Sequence, residues 1–421
     1  MKPWFAALVV VTILGQAVFN GGRVALSWRV LDFGGSAATV GWFTAAFSLV
    51  PLLIALPAGR LVDGRRAPEV MQAGLIATVA AAALMALSPG LELLLIGYVL
   101  LGFAHMTSLI AAQGMVSHLR SGARGLDSLF AYFTLGISVG QFVGILVAGA
   151  LAAQPLAGRA SATTPALWAL AAIGLVALVV GWPVAIAYRR LLAAAQAQLM
   201  SHGAGSAERP GHGVAQPQLD EARAGVLATI RRPGMSAAMA VSISVIVAID
   251  LMTAYVPVLG RELSLSVGAV TAILGARSGM AIVSRALMPT ILKYANRERV
   301  LLICTAAGVV PLAVMPWLHQ WWLLAVASGV CGFVWGFVMP MSMTWVSTLS
   351  DVSVRAQALS VRLLGNRLAQ VAIPPVAGLV ATAAGAGSVF VIAAMLIAVA
   401  TFMAMVALGG GGAATAQAAG R

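Results

Sequence analysis

Apolar residues run along this chain in long stretches that polar residues interrupt only briefly. Crossing a hydrocarbon core of about 30 Å takes a helix of about 20 residues, and twelve stretches reach that length. The short alternating apolar and polar segments of a membrane barrel do not occur. We therefore predict twelve transmembrane helices, with approximate bounds 3–26, 37–58, 69–88, 91–118, 128–152, 165–188, 235–259, 267–292, 299–317, 321–349, 357–383 and 386–408.

The twelve predicted spans fall into two groups of six, separated by the one long polar segment of the chain. Residues 189–233 are rich in Gly, Ser, Pro, Gln and charged side chains, a composition typical of a flexible linker. We expect an N-terminal six-helix bundle over 1–188, a linker over 189–233 and a C-terminal six-helix bundle over 234–421. The predicted fold class is an all-α membrane protein of two pseudo-symmetric six-helix bundles.

Short patterns that recur between the halves support this division. In the fourth and tenth spans the recurring pairs are Gly102-Phe103 with Val116-Ser117, and Gly332-Phe333 with Val346-Ser347. In the fifth and eleventh spans the recurring residues are Gln141 and Gly149, and Gln370 and Gly378. Both sets repeat at nearly the same offset, which indicates an internal repeat of six spans.

The composition agrees with a membrane protein. The chain of 421 residues is 61% hydrophobic and 9% charged, whereas a soluble domain is about 45–50% apolar and about 25% charged. A chain with so few polar side chains cannot cover its surface in water. The composition thus excludes a soluble globular protein.

The net charge of +13 does not indicate a nucleic-acid partner, because the basic residues lie in short loops between spans. Loops that connect odd to even spans hold only Arg29, Arg159 and Arg261, and the remaining loops hold most of the other bases. Since basic loops stay on the cytoplasmic side, we expect both termini and the linker in the cytoplasm. All but two of the 25 basic residues are arginine, which is typical of a GC-rich bacterial gene and predicts the bacterial inner membrane.

The loop at 59–70, GRLVDGRRAPEV, joins the second and third spans. Gly59, Leu61 and Asp63 stand at the spacing of the loop signature Gly-x-Leu-x-Asp-(Arg/Lys)-x-Gly-(Arg/Lys)-(Arg/Lys), and Arg65 and Arg66 supply basic residues at shifted positions. With six spans on either side of a linker, the chain resembles the major facilitator superfamily, in particular its twelve-helix drug–proton antiporters. The antiporters' glycine–proline motif in the fifth span is incomplete.

The resemblance implies a transporter whose two halves rock about a site at the middle of the membrane. It also implies that Asp63 helps to close the cytoplasmic side near the start of the eleventh span. The cytoplasmic gate would then comprise Gly59, Asp63, Arg65, Arg66, Arg362 and Arg367.

Few ionisable side chains lie inside the predicted spans, and such residues are candidates for function because their burial in lipid is costly. Arg23 and Asp250 lie at similar levels on helices that are equivalent in the two halves. We expect them to meet, or nearly meet, when the periplasmic side is shut. Asp250 is the only acid deep in a span and is the candidate proton carrier. Arg277 is the alternative partner of Asp250.

Other polar and aromatic residues complete the predicted pathway. Asn20 shares a helix face with Arg23, and His105 shares one with Gln113. Trp335 takes the position equivalent to His105 in the other half, and a polar face opposite an aromatic one suits an amphipathic ligand. Two deep arginines against one acid favour an anionic substrate.

The predicted function is secondary active transport of a small organic solute, anionic or amphipathic, with proton coupling as the family resemblance implies. The loop signature favours efflux and the incomplete motif of the fifth span does not, so import and export both stay open. The alternatives are a facilitative uniporter and a transporter-like sensor or assembly factor without flux. No phosphate-binding loop is present in the sequence, and the five histidines are scattered. We therefore predict no enzyme activity, cofactor or metal. The expected partners are the solute, the proton and the bilayer, with a monomeric protein.

Overall fold

The computed structural model describes residues 3–62, 66–117, 123–152, 163–202, 232, 234–350 and 355–419. Its helices are α1 (Pro3–Asp32), α2 (Ala37–Leu61), α3 (Ala67–Leu87), α4 (Leu91–Ser117), α5 (Ala123–Ala152), α6 (Thr164–His202), α7 (Met235–Glu262), α8 (Val267–Tyr294), α9, α10 (Trp321–Thr348), α11 (Arg355–Ala384) and α12 (Gly387–Ala419). α9 comprises Arg297–Ala307, Val309–Val314 and a 3-10 turn at Met315–Trp317. Within the described ranges, twelve helical segments are long and apolar enough to span a membrane, as the hydrophobic pattern predicts.

The two six-helix bundles pack against each other along one seam. Helices α1 to α6 form the first half and α7 to α12 the second. The seam is formed by α2 with α11, α5 with α8, and α1 with α7. When the two halves are exchanged, the α2–α11 pair becomes the α8–α5 pair, and the α1–α7 pair maps onto itself. This is the pseudo-symmetry that the recurring sequence patterns predict. We call the end where α1 finishes and α2 begins the distal end, and the opposite end proximal.

The distal turns show the internal repeat most clearly. The turn between α1 and α2 and the turn between α7 and α8 each contain a left-handed residue, Gly34 with φ 76° and Ser264 with φ 54°. In both turns the amide of the next residue donates to a carbonyl five residues earlier, at 2.8 Å. A serine adopts this conformation only at a cost, because its Cβ crowds the backbone. The two halves therefore use the same turn conformation at equivalent positions.

Four helix ends differ from the predicted span limits by five residues or more. α1 continues to Asp32 instead of ending at 26, α6 to His202 instead of 188 and α12 to Ala419 instead of 408, and α5 begins at Ala123 instead of 128. A helix can leave the hydrocarbon without ending, since its backbone hydrogen bonds are internal, and the Ala-, Leu- and Gln-rich stretch after 190 favours helix. Of the predicted linker, only 203–231 and 233 lie outside the described residues.

Arg29, expected in a loop, is instead buried in the last turns of α1. Its guanidinium donates to the Thr164 hydroxyl at 2.6 Å and to the carbonyls of Ser88 and Ala86 at 2.9 and 3.2 Å. Those carbonyls lie at the end of α3, where the backbone has no partner within its own helix. Arg29 therefore fastens α1 to α3 and α6 inside the first half.

The ninth span is interrupted near its middle. Pro311 has no N–H to donate to the carbonyl of Ala307, so the regular helix cannot continue through it. Gly308 lies at the interruption, and a Cβ there would come within 2.6 Å of the indole nitrogen of Trp335. The break therefore makes room for the large ring of Trp335 on α10.

Candidate functional site

A buried ion pair joins the two halves at the seam. Arg23 Nη2 of α1 lies 2.8 Å from Asp250 Oδ1 of α7. The two residues are only 8% and 4% exposed. The structure therefore brings together the two side chains that the sequence placed at equivalent levels, and it is Arg23 that pairs with Asp250.

The other oxygen of the Asp250 carboxylate is held from within the second half. Gln370 Nε2 of α11 donates to Asp250 Oδ2 at 2.5 Å. Gln370 Oε1 in turn accepts a hydrogen bond of 3.0 Å from Arg367 Nη1. Arg367 also lies 3.9 Å from the sulfur of Met106 on α4. Arg367, expected at the cytoplasmic gate, thus belongs to the network around Asp250 and contacts the first half.

Arg277 lies beside this network without a direct bond to Asp250. Its Nη2 donates to the Thr253 hydroxyl of α7 at 3.3 Å. Arg23, Asp250 and Arg285 are the charged side chains that act on it electrostatically. Within the described part of the chain, three arginines (Arg23, Arg277 and Arg367) thus surround one carboxylate.

Aromatic side chains line the first-half side of Arg23. Its Cζ lies 5.5 Å from the ring centre of Phe19 and 5.9 Å from that of Phe47, distances typical of cation–π contacts. His105 stacks on Phe19 with ring centres 3.6 Å apart, and Tyr98 packs on Phe47 at 4.8 Å. The predicted pathway residue His105 is therefore part of an aromatic lining.

The remaining predicted pathway residues take different positions. Asn20 donates to the carbonyl of Gln141 at 3.0 Å, so it ties α1 to α5 within the first half. Gln113 has an exposed side chain and does not join the network around Asp250. Trp335 is 2% exposed and faces the arginines of α8.

A small cavity lies between α5 of the first half and α7, α8 and α10 of the second. Its volume is about 50 Å³, and its polar lining includes Ser138, Gln141, Arg277, Arg285 and Trp335. Arg285 donates to the Ser138 hydroxyl across the seam. A larger cavity of about 280 Å³ lies between α8, α9 and α10, wholly inside the second half. Because it does not touch the seam, the larger cavity is a poorer candidate for a transport site.

The halves also touch at the distal end. The Tyr255 hydroxyl of α7 lies 3.2 Å from the carbonyls of Ala37 on α2 and Pro374 on α11. The backbone amide of Ala38 donates to the Thr382 hydroxyl at 3.0 Å. Arg261 and Asp32 form an ion pair of 3.0 Å nearby. In this structure the distal end of the seam is therefore closed by contacts between the halves.

The predicted cytoplasmic gate is described only in part. Asp63 and Arg65 lie outside the described residues, Gly59 belongs to the backbone of α2, and Arg66 is exposed. Arg362 donates to the Ser342 hydroxyl of α10 at 3.0 Å, a contact within the second half. The gate role of these residues stays a prediction.

Three side chains of the seam were missed as site residues by the sequence analysis: Gln370, Tyr255 and Arg285. Gln370 was noticed only as half of a repeat, although a recurring polar residue inside two spans is a signal of function. Arg285 was assigned to a basic loop because it lies near the predicted end of the eighth span. In the structure it lies within α8 and reaches α5.

No group of three or more His, Cys, Asp or Glu side chains in the described part of the chain is arranged to hold a metal ion.

Comparison with known proteins gives one family and a consistent fold. A family model described as Major Facilitator Superfamily matches residues 6–318 and 291–418. A search of curated proteins finds no match.

Among solved structures, the nucleoside transporter NupG is similar with a TM-score of 0.72 at 14% identity, covering 97% of this chain and 99% of that one. A bacterial homologue of the human lysosomal transporter Spinster, inward-facing and occupied, has a TM-score of 0.68 at 14% identity, with 97% of each chain covered. A transporter of the POT family has a TM-score of 0.67 at 12% identity, covering 96% of this chain and 95% of that one.

Proposed function

Since this chain belongs to the major facilitator superfamily, a family of membrane transporters, we propose that it is a proton-coupled secondary transporter of a small organic solute. The two halves would rock about the seam and expose the site to each side of the membrane in turn. We place it in the bacterial inner membrane, as a monomer with both termini in the cytoplasm, because its loops follow the positive-inside pattern.

The observation that carries proton coupling is the environment of Asp250. Its carboxylate is held from one side by Arg23 of the opposite half and from the other by Gln370 of its own half. Protonation would remove the negative charge and with it most of the attraction to Arg23. Because breaking a buried ion pair leaves an uncompensated charge, the state of Asp250 is tied to the closure of the seam. A proton on Asp250 would therefore favour separation of the halves on the distal side.

The surroundings of Asp250 favour an anionic or amphipathic solute. Three arginines outnumber the single carboxylate, so a negatively charged ligand would complete the charge balance. The rings of Phe19, Phe47 and His105 supply an apolar surface beside those charges. A cationic solute would meet repulsion from the arginines.

The test is transport by purified protein in proteoliposomes under an imposed pH gradient. Solutes are first chosen by their thermal stabilisation of the protein in detergent. The wild type should accumulate the selected solute when the pH gradient is applied, and collapse of the gradient with an ionophore should stop accumulation.

Asp250→Asn should lose pH-driven accumulation but keep exchange of solute between the two sides, because exchange does not require the carboxylate to release its proton. Full pH-driven accumulation by Asp250→Asn would remove Asp250 from the coupling mechanism. Arg299→Gln removes one charge at an exposed position and serves as the control.

A further inference from the structure

The small cavity at the seam contains polar atoms that the network around Asp250 does not use. In the part of the chain that the structure describes, Arg277 Nε is buried and has no hydrogen-bond partner. Arg277 lines this cavity and is 7% exposed. Leaving a buried donor unpaired costs about 1–3 kcal/mol, and more if it is charged. The indole nitrogen of Trp335 lies instead against Gly308 of α9, which does not line the cavity.

Arg285 adds a second positive charge to this cavity. Its hydrogen bond goes to the neutral Ser138 hydroxyl of the opposite half. In the described ranges no acidic side chain forms an ion pair with Arg285 or Arg277. An arginine inside a span is expensive and is normally paired with an acid, a backbone carbonyl or a ligand.

The size of the cavity limits what fits. One water needs roughly 10–15 Å³ of such volume, so about 50 Å³ holds a few waters or one compact charged group. Carboxylate and phosphate groups match this size, and both accept hydrogen bonds from several donors at once. Arginine is the side chain best suited to bind either group.

We propose that this cavity binds the oxyanion, carboxylate or phosphate, of the transported solute. The anion would accept hydrogen bonds from Arg277 and Arg285, and from Ser138 across the seam, with the ring of Trp335 as part of the wall. This inference rests on the proposed function and gives its solute a chemical class. In this proposal the solute's anion and the proton bind at different places: the anion binds between α5, α8 and α10, and the proton binds to Asp250.

The site would also couple binding to the position of the halves. Arg277, Arg285 and Trp335 belong to the second half, and Ser138 belongs to the first. An anion between them would attract both sides of the seam, whereas the empty cavity leaves the two arginines of α8 without an acidic partner among the described residues. The bound solute would therefore stabilise an arrangement in which α5 and α8 are close.

The experiment measures thermal stability of the full chain in neutral detergent against increasing concentrations of four anions. The probes are inorganic phosphate, acetate, phenyl phosphate and benzoate, each balanced with chloride to constant ionic strength. The wild type should be stabilised in a saturable manner by at least one organic anion. If phenyl phosphate binds more strongly than inorganic phosphate, or benzoate more strongly than acetate, the cavity binds the head group of an organic solute. If inorganic phosphate binds more strongly than phenyl phosphate, and binding depends on the same variants, the occupant is a free inorganic ion and the solute assignment is overturned.

Variants decide whether the cavity is the site. Arg277→Gln and Arg285→Gln should each weaken binding roughly ten- to a hundredfold, as expected for loss of a charge-assisted hydrogen bond. Ser138→Ala removes only the hydroxyl that the first half supplies and should weaken binding about two- to tenfold. Arg299→Gln, an exposed arginine outside the cavity, should bind as the wild type does.

Binding that is equal in the cavity variants and the control, or absence of saturable stabilisation by every probe, overturns the proposal. If Arg277→Gln does not fold, Arg285→Gln and Ser138→Ala still decide it. Failure of the proposed function looks different: the cavity variants would lose anion binding while the wild type shows no pH-driven flux. Conversely, flux that depends on Asp250 but not on the cavity residues would keep the transporter and reject this anion site.

Discussion

At the scale of single residues, the ion pair of Arg23 and Asp250 shows how a membrane interior uses charge. Each partner is costly to bury by itself, and the pair is tolerated because both charges are compensated at 2.8 Å. Gln370 fixes the free carboxylate oxygen, so the acid has a defined orientation. We therefore expect loss of the pair to weaken the contact between α1 and α7 at the seam.

Arg23→Gln should lower the free energy of unfolding by about 3–5 kcal/mol, because it leaves the Asp250 charge buried with one neutral partner. Replacing both residues, as in Arg23→Met with Asp250→Leu, should recover much of that loss. SDS titration of the protein in mixed micelles measures both values. The exposed pair of Arg189 and Glu69, at 2.8 Å, is the control, and Arg189→Gln should cost less than about 1 kcal/mol. A buried-pair variant as stable as this control would contradict the assignment.

At the scale of elements, α5 is shaped by its glycines. A Cβ at Gly144 would lie 2.1 Å from the backbone oxygen of Ala17, and one at Gly140 would lie 2.3 Å from that of Ile13. These contacts let α1 and α5 approach more closely than any side chain would permit. Gly149, one turn beyond, points instead at Thr271 on α8, across the seam. One helix thus uses glycines both to build its own half and to meet the other.

Gly144→Ala should destabilise the protein by at least about 1–3 kcal/mol, because the backbone atoms of α1 cannot move aside. In Gly136→Ala the new Cβ meets side-chain carbons of Val9 at 3.0 Å and Ile13 at 3.5 Å, with the nearest backbone oxygen at 3.7 Å, and the change should cost little. Gly15→Ala has no atom within 4 Å and should stabilise α1 by about 0.5–1 kcal/mol. Thermal midpoints in detergent rank the three variants. Equal effects at positions 144 and 136 would contradict the close contact of α1 and α5.

At the scale of the whole molecule, closure of the distal end depends on small contacts made at equivalent places. Gly149 faces Thr271, and Gly378 faces Ala37 and Ala38. In each contact the distal start of one helix (α8 or α2) packs against a helix of the other half (α5 or α11). At these two symmetric points the glycines let helices of opposite halves come into close contact.

Gly149→Ala should open the distal end, since its Cβ would lie within 1.8–2.6 Å of three side-chain atoms of Thr271. Thr271→Gly in the same chain restores the space and should restore closure. A cysteine at position 38 reports the change through its rate of maleimide labelling in vesicles. Native Cys304 and Cys331 are buried, so background labelling should be low. The idea fails if labelling is the same in the single and double variants.

Tyr255→Phe should also increase labelling at position 38, because the hydroxyl contacts carbonyls on both sides of the seam. Asp32→Asn should change the labelling rate much less, because it removes the ion pair of Arg261 and Asp32, in which the Arg261 side chain is 53% exposed. Exposed ion pairs contribute about 0–1 kcal/mol. The two rates, measured in parallel, compare a buried hydrogen bond with an exposed charge pair. A larger effect of Asp32→Asn would reverse this ranking.

The sequence by itself determined the class of protein, the twelve spans and the presence of two related halves. These follow from hydropathy and from recurring residues, which are local properties of the chain. It also placed Arg23 and Asp250 at similar depths, since depth is counted along a helix. It left open whether Arg23 or Arg277 pairs with Asp250.

Only the tertiary structure decided which side chains meet. The choice of Arg23 over Arg277, the position of Arg367 beside Gln370 and the contact of Arg285 with Ser138 depend on how each helix is rotated about its axis. That rotation is set by close packing against remote helices, such as α5 on α1, and not by the helix's own sequence. The ends of α1 and α6 were misjudged for a different reason, because a helix can leave the hydrocarbon without ending, since its backbone hydrogen bonds are internal.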